Sequence, residues 1–270
     1  MKKSGIYLLI VSLTLILFCS VSSASAGTLW DEIRAKGVLK VGVAACDPHC
    51  IQDPATGEWS GTAIDIMKRL AELVGVEFEP VSTTWDYIVA GLQAKKWDIA
   101  AALNDTPERA LVVDFSLPFY LCKLTFVYKD GNPKIPENPN FSDLDQPGIN
   151  IAVMSGSAFE KPLALSTKNA NIVRFPDISE TRMSVISGRA DAICDDDSTN
   201  SLFALANKDW AKTIVPDPLI SQQGTCFGFR EGYYADIEVL NVLISNMSNS
   251  GEIKALEEKY GTILKEKVTE

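Results

Sequence analysis

Two stretches of this chain repeat one pattern about ninety residues apart, and that repetition limits the folds open to it. Residues 91–100 run through a helix end, a basic turn at Lys95 and Lys96, Asp98 and the apolar Ile99-Ala100; residues 185–193 do the same through Arg189, Asp191, Ala192 and Ile193. Around the first copy, a buried strand at 39–44 precedes Ile66, Met67, Leu70, Leu73 and Val74 at helical spacing, closed by Gly75. Strand 77–81, a helix over 85–94 and strand 98–103 come next. Such alternation predicts helices covering a mostly parallel sheet. After a strand at 124–129 the chain crosses a Pro-, Asn- and Asp-rich stretch, 131–147, and the alternation restarts at 149–153. The restart predicts a second α/β lobe. Near the end, Ile237, Leu240, Ile244 and Met247 share one helical face and Ile253, Leu256 and Tyr260 another, so these helices must cover one of the sheets.

The first residues carry Lys2 and Lys3, an apolar run from Ile6 to Phe18 and Ala24-Ser25-Ala26. That is the order of a secretory leader cleaved after residue 26. Cys19 follows the bulky Phe18, which argues against a lipid anchor. The run is shorter than a membrane helix needs, and no later stretch is apolar over about 20 residues. The 35 Asp and Glu outnumber the 25 Lys and Arg, two of which fall in the leader. This charge is opposite to a phosphate-binding footprint and excludes nucleic acid as the expected partner. Past the leader stand Cys46, Cys50, Cys122, Cys194 and Cys226, an odd number, so export permits disulfides but leaves at least one thiol unpaired. The Cys46 to Cys50 spacing, with His49 the only histidine, is read as a local disulfide or as two thiols; no second cysteine pair follows to make it a metal site.

Ligand chemistry has three candidate places. Thr106-Pro107 suits a helix start after strand 98–103, which sets Arg109 at a strand's carboxyl end, where open α/β sheets bind ligands. A guanidinium there presents a planar fork to a carboxylate. Ser157 and Glu160 have capping-box spacing after strand 149–153, and amides at such a helix start can receive an anion. Asp195-Asp196-Asp197 close the strand at 190–194. One of the three is expected to enter a cleft while the others stay solvated.

In order, Gly37 to Val43, Gly61-x-x-x-Asp65, Thr106-Pro107-Glu108-Arg109, Asp114-Phe115-Ser116-x-Pro118-Phe119-Tyr120, Asp143-Leu144, Gly156-Ser157, Gly188-Arg189-Ala190-Asp191 and Gly251-x-Ile253-x-x-Leu256-x-x-Lys259-Tyr260 resemble the family-3 extracellular solute-binding proteins. The resemblance covers about residues 29–260. It implies the type II periplasmic binding fold: two lobes, each a mostly parallel sheet flanked by helices, joined by two hinge strands at 122–129 and 225–230. The first lobe would hold 27–124 and 228–270, the second 125–227. Arg109 maps onto the family's grip on the ligand carboxylate and Asp196 onto the acid that takes the ammonium. Trp85 maps onto an aromatic wall and Ser157 onto a hydroxyl beside the carboxylate. The chain departs from the pattern at Asn104, at Ala158 and near Asp47, where a carboxylate could meet a cationic ligand side chain. In function the resemblance implies a monomeric periplasmic binder of an amino acid or similar zwitterion, without cofactor or metal, closing about its hinge and serving an ABC transporter permease. Two other readings share the fold. Cyclohexadienyl dehydratases share Asp145-x-Pro147-Gly148 and Glu160-Lys161, but Thr199 stands where their general acid belongs; a chemosensory ligand donor needs the same closed clamp.

Overall fold

The computed structural model describes residues 28–269, so the expected leader lies outside the described residues. In chain order the elements are α1 (Leu29–Lys36), β1 (Val38–Val43), β2 (Ile51–Gln52), β3 (Trp59–Ser60), α2 (Thr62–Val74), β4 (Glu77–Ser82), α3 (Trp85–Gln93), β5 (Ile99–Asn104), α4 (Pro107–Ala110), β6 (Asp114–Phe115) and β7 (Tyr120–Lys129). They continue as α5 (Phe141–Leu144), β8 (Asn150–Met154), α6 (Glu160–Ser166), β9 (Asn171–Phe175), α7 (Ile178–Ile186), β10 (Ala192–Asp196), α8 (Asp197–Ala206), β11 (Ala211–Ile214), β12 (Gln222–Phe229), α9 (Tyr234–Asn249) and α10 (Glu252–Thr269). No described helix is long and apolar enough to cross a membrane.

The strand order β4-β1-β5-β12-β7-β10-β8-β9 divides naturally where β12 meets β7. On one side β4, β1 and β5 run parallel and β12 closes them antiparallel; on the other β10, β8 and β9 run parallel and β7 closes them antiparallel. Between the lobes only the two long strands pair, Gln222 to Thr225 against Lys123 to Tyr120. Each sheet is buried on both faces. Leu39, Val41 and Val43 of β1 join one cluster with α2 and the terminal helices, through Leu240, Ile244, Met247 and Ile253. Ala100 and Leu103 of β5 turn to the other face, under Ile88 and Leu92 of α3. In the second lobe Ile151 and Val153 face one cluster and Ala152 the other. This alternation is what a helix-covered parallel sheet requires.

The repeated motif does the same mechanical task in both lobes. The Asp98 carboxylate accepts from Lys40 N at 3.1 Å and Lys36 Nζ at 3.1 Å, and Asp98 N donates to Lys40 O. Asp191 accepts from Asn150 N at 2.9 Å and Lys134 Nζ at 3.0 Å, and its N–H donates to Asn150 O. Each aspartate therefore ties the incoming strand to its parallel neighbour before the ladder begins. The left-handed turn ahead of it is made by Lys95 (φ 58°) in the first lobe and by Gly188 (φ 75°) in the second.

Helix α2 begins at Thr62, a turn before its apolar periodicity, and Gly61 gives it no side-chain cap. The missing cap comes from the chain itself. Pro48 O and His49 O accept from Thr62 N at 3.3 Å and Ala63 N at 3.1 Å. That approach needs glycine: at φ 124° a Cβ on residue 61 would sit 2.3 Å from His49 O.

Candidate ligand-binding cleft

The lobes meet along a seam of specific contacts. Arg109 Nη2 donates to Gly156 O at 3.0 Å, Ser155 Oγ to Asp86 Oδ1 at 3.3 Å, and Thr199 Oγ1 to Asp47 O at 2.7 Å. Arg182 and Asp47 form an ion pair at 3.0 Å with both side chains mostly covered, and Lys161 pairs with Glu108 at the exposed rim. Helix α10 leans on α8 from the first lobe's side.

Inside the seam lies one small cavity, walled by Cys46, His49, Trp85, Ala102, Asn104, Cys122 and Thr225 on one side and by Met154, Ser157, Ala158, Phe159, Asp195 and Asp196 on the other. The space open to the centre of a water-sized sphere is about 30 Å³, enough for a water or two. Four of the six candidate residues meet here. Asn104, the last residue of β5, donates to Cys122 Sγ at 3.1 Å and Thr225 Oγ1 at 3.4 Å. Trp85 opens α3 and also packs against both hydrophobic clusters of the first lobe, so it is wall and core together. Ser157 Oγ is buried without a partner.

Asp196 is the N-cap of α8: its Oδ1 accepts from Thr199 N at 2.8 Å and Ser198 Oγ at 2.5 Å. The acidic run differs from expectation. Asp195 lines the cavity beside Asp196, while Asp197 turns away and accepts from Lys123 N and Tyr120 OH on the hinge strand. Successive strand residues point to opposite faces, but β10 ends at Asp196 and turns into the helix, which brings both carboxyls to one side. Burial, and then the neighbouring Asp196, push Asp195 up to about 8; burial likewise raises Asp196.

Arg109 and Asp47 stand outside the lining. Thr106 caps α4 as its sequence predicts, accepting from Arg109 N, and Arg109 Nη1 donates to Asn104 O at 3.2 Å. Its guanidinium thus holds two carbonyls, one from each lobe, and no carboxylate. Burial without an acidic partner lowers it to about 10. Asp47 points to Arg182 rather than into the cavity. The expected capping box at Ser157 does not form: α6 starts at Glu160 with Phe159 at its cap, and Glu160 Oε2 instead accepts from Gly156 N at 3.0 Å. That amide is thereby occupied by a carboxylate, because Gly156 at φ 70° turns the chain before any helix begins.

His49 enters the cleft unforeseen. Both ring nitrogens are buried without partners, Phe119 and Tyr120 pack against the ring at 5.3 and 5.0 Å, and burial lowers its pKa to about 4. It is therefore a neutral imidazole at physiological pH. In the sequence a single histidine between two cysteines carries no signal that points to a cleft.

The family model for bacterial extracellular solute-binding proteins, family 3, matches residues 39–263. A probable amino-acid ABC transporter periplasmic-binding protein of Sinorhizobium fredii is 32% identical over 220 residues, 78% of this chain and 70% of that protein. The cyclohexadienyl dehydratase of Pseudomonas aeruginosa is 28% identical over 203 residues, 73% of each. Among solved structures, that of an ancestral amino acid-binding protein described as a precursor of cyclohexadienyl dehydratase superposes with a TM-score of 0.76 at 32% identity, over 86% of this chain and 99% of the other. With its two helix-covered sheets, two linking strands and a cleft between the lobes, the chain belongs to family 3 of the bacterial extracellular solute-binding proteins, on the type II periplasmic binding fold.

Proposed function

We propose that this protein is a periplasmic clamp for a cationic amino acid, or a similar small zwitterion with an extra positive charge, which it passes to the permease of an ABC importer. The observation that carries the reading is the charge of the cleft. Two buried carboxyls, Asp195 and Asp196, face a cavity whose lining holds no lysine or arginine. A ligand bringing positive charge relieves their repulsion and desolvation, whereas an anion adds to both. In this reading Asp196 takes the α-ammonium and Asp195 the second cationic group. Arg109, half-buried with no acidic partner, takes the carboxylate by exchanging Gly156 O for it, with Ser157 Oγ as a second donor. Trp85 is the apolar wall, and Asn104 and neutral His49 offer polar atoms. Asp47 acts through Arg182, as a latch between lobes.

The cavity is too small for an amino acid while the lobes stand this close. Uptake therefore requires the lobes to part about β7 and β12 and close again on the ligand. A thermal-shift screen of the exported protein against the common amino acids, ornithine and prephenate tests the proposal. Ligand at 100 times its Kd adds about 2.7 kcal/mol of stability. Arginine, lysine or ornithine should give the largest shift; a best response from glutamate, aspartate or prephenate would overturn the reading.

Asp195 also lends the dehydratase alternative support, since a carboxyl raised to about 8 holds a proton inside the cleft. Against it, prephenate is a dianion facing an acidic cavity, and Thr199 Oγ1 is already engaged with Asp47 O. Incubation with prephenate or arogenate should yield no aromatic product. Turnover near 1 per second would move the protein to the lyases.

A further inference from the structure

We propose that Cys46 and Cys50 form a disulfide in the exported protein, stapling the three-residue loop that the first lobe presents to the second. The two backbones exchange both hydrogen bonds, Cys50 N to Cys46 O at 2.7 Å and Cys46 N to Cys50 O at 3.0 Å, as an isolated antiparallel bridge. A hydrogen-bonded antiparallel pair sets its Cα atoms about 5.5 Å apart with both side chains on one face. Disulfides span about 4.4–6.8 Å between Cα atoms. The neighbouring Cys50 thiol, and then burial, hold the Cys46 thiol well above its ordinary range. Among the other described cysteines no such match exists: Cys194 lies in β10, Cys122 stands opposite Gln223, and Cys226 stands opposite Leu103.

The step is a two-electron oxidation. Two thiols lose two protons and two electrons to a disulfide oxidant of the export compartment, which leaves as a dithiol. Cys50 is fully buried and Cys46 nearly so, so the exchange belongs to the newly exported chain, before the first lobe packs.

The enclosed residues Asp47, Pro48 and His49 explain why a staple would matter here. Pro48 O and His49 O cap α2, Asp47 pairs with Arg182 across the seam, Asp47 O receives Thr199 Oγ1, and His49 walls the cavity. One covalent bond would hold a helix cap, an interlobe latch and a cleft residue in register. Such a bond requires an oxidising compartment and no particular ligand, so it stands or fails whatever the cleft binds.

The protein, expressed with its own leader and purified, is reduced in denaturant, refolded in a glutathione buffer containing the oxidised form, alkylated and digested with trypsin. The peptide 41–68, which carries both cysteines, should appear unalkylated and two hydrogens lighter than the dithiol, while Cys122, Cys194 and Cys226 are alkylated. Reduction of the refolded protein should lower its melting temperature by about 4–8 °C, from the stabilisation expected of so short a loop in a domain this size. The double variant Cys46→Ser/Cys50→Ser should melt at the reduced value with or without reductant. Recovery of 41–68 as the doubly alkylated peptide overturns the proposal, as does a reductant shift equal in wild type and double variant.

Discussion

The two lobes share one framework and set opposite charges at the corresponding strand exits. In each, an aspartate at the strand entrance, Asp98 or Asp191, clamps the head of the neighbouring parallel strand and meets a lysine. In each, a capping side chain stands at or just past the strand's carboxyl end, Thr106 ahead of α4 and Asp196 ahead of α8. The difference lies within one helical turn of those caps. In the first lobe one residue, Asp105, separates β5 from the cap and a four-residue helix follows, which swings Arg109 to the rim. In the second the cap is the last strand residue, so Asp195 and Asp196 stay at the sheet edge in the cavity wall. Strand entrances are thus built alike for stability, and strand exits are where two copies of one plan come to differ in chemistry.

The sharpest way to break this comparison is to remove one charge from each exit. Arg109→Ala should cost a hundredfold or more in calorimetric affinity for the best amino acid of the thermal screen, at about 1.4 kcal/mol per tenfold, with the fold retained. Asp196→Ala should lose ligand affinity and also about 1 kcal/mol of stability through the missing cap. If neither variant binds differently from wild type, the exits do not make the site.

The entrances give the next largest effect. Asp98→Ala and Asp191→Ala should each lower unfolding stability in urea by about 1–3 kcal/mol, because each leaves a partly buried strand N–H without its charged acceptor. Equal losses support one shared device; a loss confined to one lobe would make the echo superficial.

The smallest effect is graded by pH. Asp195 in the folded protein titrates above an unfolded aspartate, so between about pH 4 and 8 the ligand-free fold holds the extra proton and is destabilised as pH rises. His49 works in the opposite sense below 6.5, where the unfolded chain takes up the proton and the fold does not. Between about pH 6.5 and 8 the ligand-free melting temperature should therefore fall. Over the same window the affinity for a cationic ligand, which displaces the proton, should rise. Asp195→Asn should flatten the affinity trend and reduce the melting-temperature trend to the part due to Glu257, which burial raises to about 7; a wild-type affinity independent of pH there would remove Asp195 from ligand contact.

How much of this was legible in the chain divides along physical lines. Periodicity and local capping are written in nearby residues, so the alternating elements, the repeat carrying Asp98 and Asp191, and the Thr106 cap that orients Arg109 could be read directly. What escaped depends on contacts distant in sequence or on where an element stops. His49 reaches the cleft because its carbonyl caps α2 over Gly61, a link no spacing announces. The pairing of Asp195 with Asp196 depends on β10 ending at Asp196. Asp47 found Arg182, and Glu160 found Gly156 N and Arg174, only once two segments were brought together.

The pairing of β5 with β12 also bears on the order in which the molecule can be made. Thr225 meets Asn104 and Cys226 meets Leu103 across more than a hundred residues of intervening chain, and α9 and α10 then complete the same core. The second lobe's parallel strands β8, β9 and β10, by contrast, come from one continuous stretch. During synthesis or export from the N-terminus, the half that emerges first therefore waits for the tail of the chain, with one edge of its sheet unpaired, while the half that emerges later can assemble at once. A truncation that removes α9, α10 and the end of β12 should leave the earlier half, not the later one, as the part that aggregates.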